Sequence, residues 1–436
     1  METIVVYSPR NSNRLKFVLD WLIGERLQLA YVLIHDEQLL AGRSRIISYG
    51  RIVAGAVSIP DNGLLWDTGK AECSMTAGLW GDLPTVFDAA PSGMSVPFDL
   101  FSALFFLLSR YEEYYAFTPD KHGRYPAAAS VLFKNGWLSR PVADEWVARF
   151  RQLLNDEAGI QAPATHFVFQ PTYDIDMAYS HLYKGITRIA GAYVRAILKM
   201  DVMQISERTQ VLKNRKKDPY DSFRWLRQLH KEAGCKPVYF ILAAFRTTAF
   251  DKNIHPEHPA MMRVIKNIAR DGIVAVHPSY FSDQGGKMGE EKQILEHISG
   301  NKIRFSRQHY IRVTIPATYR MLLGNGITND FSMGYGSHLG FRAGTGNSFL
   351  WYDLESEQVS PLRLHPFCFM DTTAHFEAGL SVTEAMSKLQ AMSSLLEKTG
   401  STLVTIFHNF SLGTASEWKG WRSAYEHFLQ EKSSMS

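Results

Sequence analysis

The sequence of 436 residues predicts an α/β protein in which a barrel-like α/β domain follows a smaller α/β unit. From about residue 165 onward, short apolar segments alternate with longer segments of helical spacing, which is typical of a parallel sheet flanked by helices. The segment 157–165 is rich in small and turn-forming residues and is predicted to link the two parts. The predicted domains are therefore residues 1–160 and residues 165–436.

The composition indicates a globular protein and argues against a nucleic-acid partner. Hydrophobic residues make up 45% of the chain, enough for a sizeable core. The 47 basic and 43 acidic residues leave a net charge of only +4, too balanced for a nucleic-acid-binding surface. The most apolar run, Leu100–Leu108, is far shorter than the ~20 residues that span a bilayer, so it predicts a buried helix with Asp99 as its N-cap.

Cysteine usage and the first residues predict a cytoplasmic protein. Cys73, Cys235 and Cys368 are far apart and form no CxxC pair, so we interpret them as reduced thiols. No basic segment followed by an apolar stretch begins the sequence, so no signal peptide is expected.

Each predicted element was placed from apolar spacing and turn signals. In the first unit the predicted strands are Thr3–Tyr7, Tyr31–Ile34, Arg45–Ser48 and Ala56–Ile59, and the predicted helices are Arg14–Ile23, the run after Asp99 and Ala143–Leu154. In the second unit the predicted strands are Phe167–Tyr173, Pro237–Leu242, Ile273–His277, Ile303–Phe305, Ile327–Asn329 and Ser401–His408. The helices between them are Ala178–Val211, Ser222–Ala233, Pro259–Asp271, Lys287–Ser299, Pro316–Asn325 and Ser381–Thr399. Active sites of parallel α/β folds lie just after the strands, so the polar residues there are the candidates.

Two carboxylates end the first strand of the second unit. Asp174 and Asp176 are two residues apart, and in an extended chain they face the same side. Two negative charges at such a short distance repel each other, and a bound cation or a shared proton usually offsets the repulsion. The alternative interpretation is a solvated turn at the end of a strand.

Later strand ends deliver further residues suited to metal and acid–base chemistry. They are His277, the pair Arg307 and His309, Asp330 with Tyr335, Arg342 between two glycines, and His408. Neutral imidazoles are common zinc ligands, and an arginine can bind a carboxylate. Each signal alone is weak. Together they form the set that a hydrolytic metal site needs: metal ligands, a base for the water and a proton donor for the leaving group.

The order of these residues resembles the polysaccharide deacetylase family, also called the NodB-homology or carbohydrate esterase family 4 group. The resemblance covers roughly residues 165–410. The chain is also similar to bacterial members of this family that carry an extra N-terminal α/β domain of unknown role. It implies a distorted (β/α) barrel and a metal-dependent deacetylase, which hydrolyses a carbon–nitrogen bond in an N-acetylated sugar or glycan precursor. A divalent metal, expected to be zinc, is the implied cofactor, and a carbohydrate or glycan precursor is the implied substrate.

The resemblance also implies a role for each matching residue. Asp174 matches the catalytic base, Asp176 and His277 match metal ligands, Arg307 matches the arginine that orients the base, Asp330 matches the aspartate of the fourth motif, and His408 matches the histidine that protonates the leaving amine. We predict that Tyr280, Tyr335 and Arg342, which accompany these motifs, contact the substrate.

The sequence departs from the family pattern in three places. Phe281 stands where the family has a second metal-binding histidine, the third motif continues as Arg-Gln-His-Tyr instead of with prolines, and Tyr335 stands where a tryptophan is usual. Because catalytic zinc sites typically use three protein ligands, we predict that His309 is the third. His338 and His365 are its rivals, in less regular sequence.

Other functions remain open at this stage. One is an amidase that acts on a non-sugar substrate, and another is a non-catalytic glycan-binding module that has lost the full metal site, which the Phe281 substitution favours. Glycoside hydrolysis is disfavoured, because carboxylates two residues apart are closer than the ~5 Å or more that a glycosidase pair needs.

A basic stretch over residues 184–217 has two interpretations. It contains nine basic and two acidic residues with apolar residues among them. It predicts either peripheral contact with an anionic membrane or glycan carrier, or a solvated helix with a basic face, and the second is the more ordinary outcome.

Overall fold

The computed structural model describes residues 3–70, 75–87, 93–283 and 286–433, so the predicted thiol of Cys73 lies outside the described residues. Cys235 and Cys368 are free cysteines. The strands are β1 (Ile4–Tyr7), β2 (Tyr31–Ile34), β3 (Ile46–Tyr49), β4 (Ala56–Ile59), β5 (Ala77–Trp80), β6 (Leu83–Val86), β7 (Val168–Ile175), β8 (Val238–Leu242), β9 (Ile273–His277), β10 (Phe305–Ser306), β11 (Asn329–Met333), β12 (Phe349–Asp353), β13 (Gln358–Pro366), β14 (Phe369–Met370) and β15 (Thr402–His408).

The helices alternate with strands over much of the second half of the chain. They are α1 (Asn13–Leu19), α2 (Leu100–Leu108), α3 (Val131–Lys134), α4 (Val142–Ala158), α5 (Ile186–Leu198), α6 (Val202–Leu212), α7 (Phe223–Ala233), α8 (Pro259–Asp271), α9 (Lys287–Ser299), α10 (Ala317–Gly324), α11 (Val382–Thr399) and α12 (Trp421–Ser433). In the part of the chain that the structure describes, no helix is long and apolar enough to cross a membrane.

A curled nine-stranded sheet dominates the second half of the chain. Its order is β12-β13-β11-β10-β9-β8-β7-β15-β14, and every pairing except β12 with β13 is parallel. The mixed α/β character predicted from the sequence is therefore confirmed. Among the described residues β12 and β14 are the two edges, so the curled sheet is open.

The register of this sheet gathers the polar strand ends at one edge. Asp174 on β7 pairs with His408 on β15, and Leu242 on β8 pairs with His277 on β9. On the far side, Ser306 on β10 pairs with Val276 and Asp330 on its two neighbours. Parallel strands end on the same side, so all of these carboxyl ends meet there.

The first part of the chain forms a smaller parallel sheet of order β2-β1-β3-β4. Asp99 caps α2 as predicted. Its Oδ1 accepts a hydrogen bond from the Ser102 backbone N–H at 2.9 Å, and every residue of α2 is buried.

One continuous cluster of buried apolar side chains runs through both sheets and their helices. The division of the chain near residue 160 therefore stays a prediction.

One prediction about the elements is wrong, and several elements were not predicted. The single helix predicted over Ala178–Val211 is two helices, because α5 ends at Leu198 and α6 begins at Val202 with Asp201 as its N-cap. The antiparallel pair β12 and β13 was not predicted.

Candidate metal centre

Three side chains converge at the carboxyl edge of the large sheet. The Nε2 atom of His277 lies 3.2 Å from Oδ1 of Asp176, and the Nε2 atom of His309 lies 3.5 Å from Oδ2 of the same carboxylate. One ligand atom from each of the three residues lies within 4.8 Å of the others. Two imidazoles and a carboxylate that share one point are a donor set suited to a divalent metal such as zinc.

The orientation of both imidazoles is set by partners on their far side. Nδ1 of His277 lies 2.5 Å from the backbone oxygen of Arg307, and Nδ1 of His309 lies 3.1 Å from Oδ1 of Asp251. An acceptor at Nδ1 places the ring proton there and leaves Nε2 with a lone pair. This is the outer support that metal-binding histidines usually have, and it aims both Nε2 atoms at Asp176.

The Asp176 carboxylate is arranged to accept a cation. Its Oδ1 atom is buried and has no hydrogen-bond partner among the described residues. Burial raises the pKa of Asp176, but His309 and the neighbouring imidazoles outweigh burial and hold the pKa well below its usual value. The carboxylate is thus ionised and available as a ligand.

His309 shows the same electrostatic preference for positive charge. Burial lowers its pKa, but the charges of Asp176 and Asp251 outweigh burial and raise the pKa to about 9. With the side chains alone, a proton on His309 supplies the positive charge between the two carboxylates. A metal ion at Nε2 would compete with that proton, so metal binding is expected to be pH-dependent.

Asp174 lies beside the cluster and is hydrogen-bonded to a buried arginine, Arg307. Its Oδ1 accepts a hydrogen bond from Nη1 of Arg307 at 2.7 Å, and its Oδ2 lies 3.7 Å from Nε2 of His277. Arg307 also donates to Oγ1 of Thr172 at 2.7 Å and to the backbone oxygen of Phe331 at 3.0 Å. The guanidinium is thereby fixed, and it holds one oxygen of Asp174 while the other faces the cluster.

His408 ends β15, the strand that pairs with β7 on the side opposite β8. Its Nε2 lies 3.5 Å from Oδ2 of Asp176, and its Nδ1 lies 2.7 Å from Oδ1 of Asp371. The other oxygen of Asp371 accepts the His408 backbone N–H at 2.7 Å. Burial lowers the pKa of His408, but the charges of Asp371 and Asp176 outweigh it and raise the pKa well above its usual value. His408 is therefore a protonated donor at the rim of the cluster.

Sequence reasoning missed two of these carboxylates. Asp251 lies in an irregular segment after β8, and Asp371 follows β14, a strand of only two residues. Neither position carries strand periodicity, so only the three-dimensional contact with an imidazole shows its role.

A cleft of about 320 Å³ opens onto the cluster. Its walls include four aromatic side chains, namely Phe250, Tyr310, Phe376 and Phe410. A larger cavity of about 1080 Å³ lies between α7 and α8 and contains none of the metal-site residues. We therefore take the smaller cleft as the site, because the reactive groups are there.

The first part of the chain contributes to this cleft. Lys121, His122 and Arg124 line it. Nδ1 of His122 lies 3.0 Å from the Tyr280 hydroxyl, and Nη1 of Arg124 donates to the backbone oxygen of Tyr310 at 2.8 Å. A segment in which the sequence showed no catalytic constellation thus forms part of the wall.

Asp330 is corrected from a catalytic residue to a buried structural one. It is fully buried and does not line the cleft. Its Oδ2 accepts a hydrogen bond from the Ser306 hydroxyl at 2.7 Å, and its Oδ1 accepts the Ser332 N–H at 2.9 Å. These bonds tie β10 to β11 and leave no free oxygen for a substrate.

The three predicted substrate-binding residues do not face the cleft, and these assignments are corrected. The Arg342 guanidinium is buried and paired with Glu113, with Nε to Oε1 at 2.8 Å. Tyr335 is buried, and the Arg342 guanidinium carbon lies 5.3 Å from its ring centroid. Tyr280 stacks on Phe250 at a centroid distance of 3.8 Å, so it supports the aromatic wall from behind.

The rival histidines lie away from the cluster. His365 stacks on Phe331 at 4.2 Å and bonds Asn329 through Nε2 at 2.8 Å, while Nδ1 of His338 lies 3.0 Å from the Ser337 hydroxyl. Phe281 packs against Tyr280 at 4.9 Å. Of the three candidates for a third ligand, the structure brings His309 alone to Asp176 and His277.

Sequence comparisons find a similarity for the first part of the chain. The profile of a family of unknown function (DUF7033) matches residues 4–158. No curated protein shows significant sequence similarity to the chain.

Solved structures that are similar to the chain include polysaccharide deacetylases and a relative of them. A protein from Mycobacterium smegmatis assigned as a polysaccharide deacetylase is 15% identical, with a TM-score of 0.40 over 64% of this chain and 87% of that one. A polysaccharide deacetylase from Bacillus cereus is 12% identical, with a TM-score of 0.31 over 61% and 88%. A mutant carbohydrate esterase family 4 pseudoenzyme with restored activity is 7% identical, with a TM-score of 0.32 over 61% and 63%. These values are low, so the activity has to be argued from the site itself.

Proposed function

We propose that the chain is a metal-dependent deacetylase that hydrolyses the acetamide of an N-acetylated sugar or glycan precursor. The observation that carries this proposal is the convergence of Asp176, His277 and His309 within 4.8 Å, next to a carboxylate and a protonated imidazole. That set supplies what metal-assisted amide hydrolysis needs from the protein: metal ligands, a base and an acid.

The donor set fits a divalent cation, with zinc as the expected ion. The buried oxygen of Asp176 without a partner and the two oriented Nε2 atoms are the ligands we assign. When bound, such a metal lowers the pKa of its water and polarises a carbonyl group.

Asp174 is assigned as the general base. Arg307 holds its Oδ1 at 2.7 Å and leaves its Oδ2 facing the ligand cluster. The guanidinium fixes the position of the carboxylate, which can take a proton from a water molecule that attacks the amide carbon. The fixed carboxylate loses no orientational freedom at that step.

His408 is assigned as the general acid. Its Nδ1 lies 2.7 Å from Oδ1 of Asp371, its Nε2 lies 3.5 Å from Oδ2 of Asp176, and the side chain lines the cleft. When the carbon–nitrogen bond breaks, the leaving amine needs a proton, and Nε2 of His408 can donate it. Asp371 keeps the imidazole charged until that transfer.

The aromatic wall supports a carbohydrate substrate. Phe250, Tyr310, Phe376 and Phe410 give the cleft apolar faces beside its polar floor. Sugars carry apolar C–H faces between polar edges, so aromatic side chains are suited to hold them. This feature favours a glycan over a small aliphatic amide.

Acetate release tests the proposal. The purified chain, loaded with zinc, cobalt or nickel, is incubated with N-acetylated sugars, nucleotide sugars and glycan oligomers. Asp174→Asn should lower the rate ~10²–10⁴-fold while metal content stays unchanged, because Arg307 can still bind the amide oxygen. Asp271→Asn is the matched control, since Asp271 pairs with Arg227 at the surface.

The outcomes separate the competing functions. Release of another carboxylate or of ammonia from non-sugar amides, with none from sugars, would indicate an amidase instead. Tight glycan binding without hydrolysis under any metal would indicate a binding module. Equal rates for parent and Asp174→Asn would remove Asp174 from the mechanism.

A further inference from the structure

We propose that the helical hairpin formed by α5 and α6 binds the surface of an anionic lipid bilayer. The hairpin spans residues 186–212, and its tip is residues 198–203. This inference is independent of the proposed chemistry, because no residue of the hairpin lines the cleft.

The hairpin exposes apolar side chains that a surface helix would normally bury. Ile186 is 87% exposed, Leu198 77%, Met200 85% and Met203 80%. Val194, Ile197 and Val202 are exposed as well. An amphipathic helix on a globular protein turns its apolar stripe toward the core, and α5 buries Ala196 alone. Six of these seven side chains fall within residues 194–203, and exposed apolar side chains clustered in this way mark an interaction site.

The hairpin is a formed structure and not an extended loop. The Tyr193 hydroxyl of α5 lies 2.9 Å from Oγ1 of Thr209 on α6, and the Arg208 guanidinium carbon lies 5.4 Å from the Tyr193 ring centroid. Asp201 caps α6, with its Oδ1 2.9 Å from the Gln204 N–H. These contacts hold the two helices side by side and present the tip as a unit.

The net positive charge of the hairpin favours an anionic partner. Residues 184–217 contain nine basic and two acidic residues, against a nearly balanced chain. Glu207 pairs with Lys216, and Arg195 and Lys199 beside the tip have no acidic partner within the described ranges. Exposed apolar side chains flanked by basic ones match an interface of acyl chains and anionic headgroups, to which each basic residue adds attraction.

A second copy of the chain fits this surface less well. Standard protein interfaces use about 20–30 residues a side, whereas seven apolar side chains of the described hairpin are exposed, six of them within residues 194–203. Two such tips would also bring their uncompensated basic residues together. A bilayer accepts a narrow tip and neutralises its charge.

The hairpin begins beside the mouth of the cleft. Nζ of Lys184 and Nη2 of Arg188 donate to the backbone oxygen of Lys252 at 3.4 and 3.3 Å, and Lys252 lines the cleft. The base of the hairpin therefore lies beside the cleft, and the tip lies about 18 Å away along α5.

Vesicle flotation of the full chain tests the proposal. Vesicles are made of phosphatidylcholine alone or of phosphatidylcholine with an equal share of phosphatidylglycerol. The parent should float with the anionic vesicles only, and less at high salt. Both the apolar double variant Leu198→Ser/Met200→Ser and the charge-reversal variant Arg195→Glu/Lys199→Glu should bind on the order of tenfold more weakly.

Two variants elsewhere on the surface serve as matched controls. Ile52→Ser/Leu79→Ser removes exposed apolar side chains elsewhere, and Lys302→Glu removes an exposed basic one, so both should float like the parent. Circular dichroism checks that each variant is folded.

Failure of the parent to float with anionic vesicles would overturn the proposal. So would a parent dimer in light scattering that Leu198→Ser/Met200→Ser makes monomeric. Acetate release in solution is measured separately and does not decide this question.

Discussion

The Nδ1 atom of His309 lies 3.1 Å from Oδ1 of Asp251, and this contact turns Nε2 of His309 toward Asp176. Asp251 also accepts hydrogen bonds from the Tyr280 N–H and the Thr248 hydroxyl, each at 2.9 Å, so the carboxylate is fixed. A rigid carboxylate behind an imidazole raises its basicity as a metal ligand. The pair accounts for the orientation of His309 toward Asp176 and His277.

Asp251→Asn should weaken metal binding 10–100-fold without unfolding the protein. The amide oxygen can still accept from His309 and Tyr280, and the amide nitrogen can donate to Thr248, but the negative charge is lost. Competition with a chelator measures the affinity, and Asp271→Asn at the surface is the control. An unchanged affinity would show that Asp251 plays no part in the site.

Asp371→Asn should lower kcat by ~10²–10⁴-fold while metal content stays at the parent level. The carboxylate holds His408 through Nδ1 and the backbone N–H, both at 2.7 Å, and its charge keeps the imidazole protonated. Steady-state kinetics and metal analysis on the same preparation check the prediction. Loss of metal together with activity would point instead to a structural role for Asp371.

Asp330→Asn should change stability in a pH-dependent way and leave kcat within a few-fold of the parent. Burial raises the pKa of Asp330 to about 6 from an ordinary 3.8, so the folded state holds its proton more tightly than the unfolded state. The parent therefore loses stability as the pH rises from about 4 to about 6, by at most about 3 kcal/mol. The asparagine lacks this loss, because an amide does not titrate in this range, and the Ser306 and Ser332 hydroxyls can reorient to accept from it.

Urea unfolding of both proteins at several pH values measures this difference. The stability of Asp330→Asn relative to the parent should increase between about pH 4 and 6 and stay level above. A difference that is constant across this range would contradict the burial argument. A large loss of kcat at equal stability would restore Asp330 to the catalytic set.

Gly336→Ala should destabilise the protein and impair the cleft, because a Cβ atom there would overlap Nη1 of Arg124. That guanidinium holds the backbone of Tyr310 in the cleft wall. In an Arg124→Ala background the same substitution should cost less, giving a coupling energy of about 1 kcal/mol or more. Unfolding and kcat/KM of the two single variants and the double variant measure the cycle, and additive effects would contradict the contact.

Much of the large sheet was predictable because its central strands are apolar runs that end in a polar residue. Ile273–His277 was predicted with the observed bounds, and β7 and β15 within two residues. The strands β12 and β13 were missed, since the first half of β13 carries exposed and polar residues without clear alternation. The break between α5 and α6 was missed because Met200 and its neighbours continue the apolar spacing and no glycine or proline interrupts it.

The site residues on strand ends could be placed from the sequence, whereas their supports could not. Asp174, Asp176, His277 and His408 follow regular strands, so spacing pointed to them. Arg342 is flanked by glycines as a ligand-binding arginine would be, but it pairs with Glu113, more than two hundred positions earlier. Only the packing of the two parts of the chain decides which of these polar residues remain accessible.

Metal content is the most direct test of the central claim, which is that Asp176, His277 and His309 hold one divalent metal. The parent and the His277→Ala, His309→Ala, His338→Ala and His365→Ala variants are equilibrated with limiting zinc, desalted and analysed by mass spectrometry. About one zinc per chain is expected for the parent, His338→Ala and His365→Ala, and a sharp loss for His277→Ala and His309→Ala. A His309→Ala protein that holds as much zinc as the parent would contradict the account.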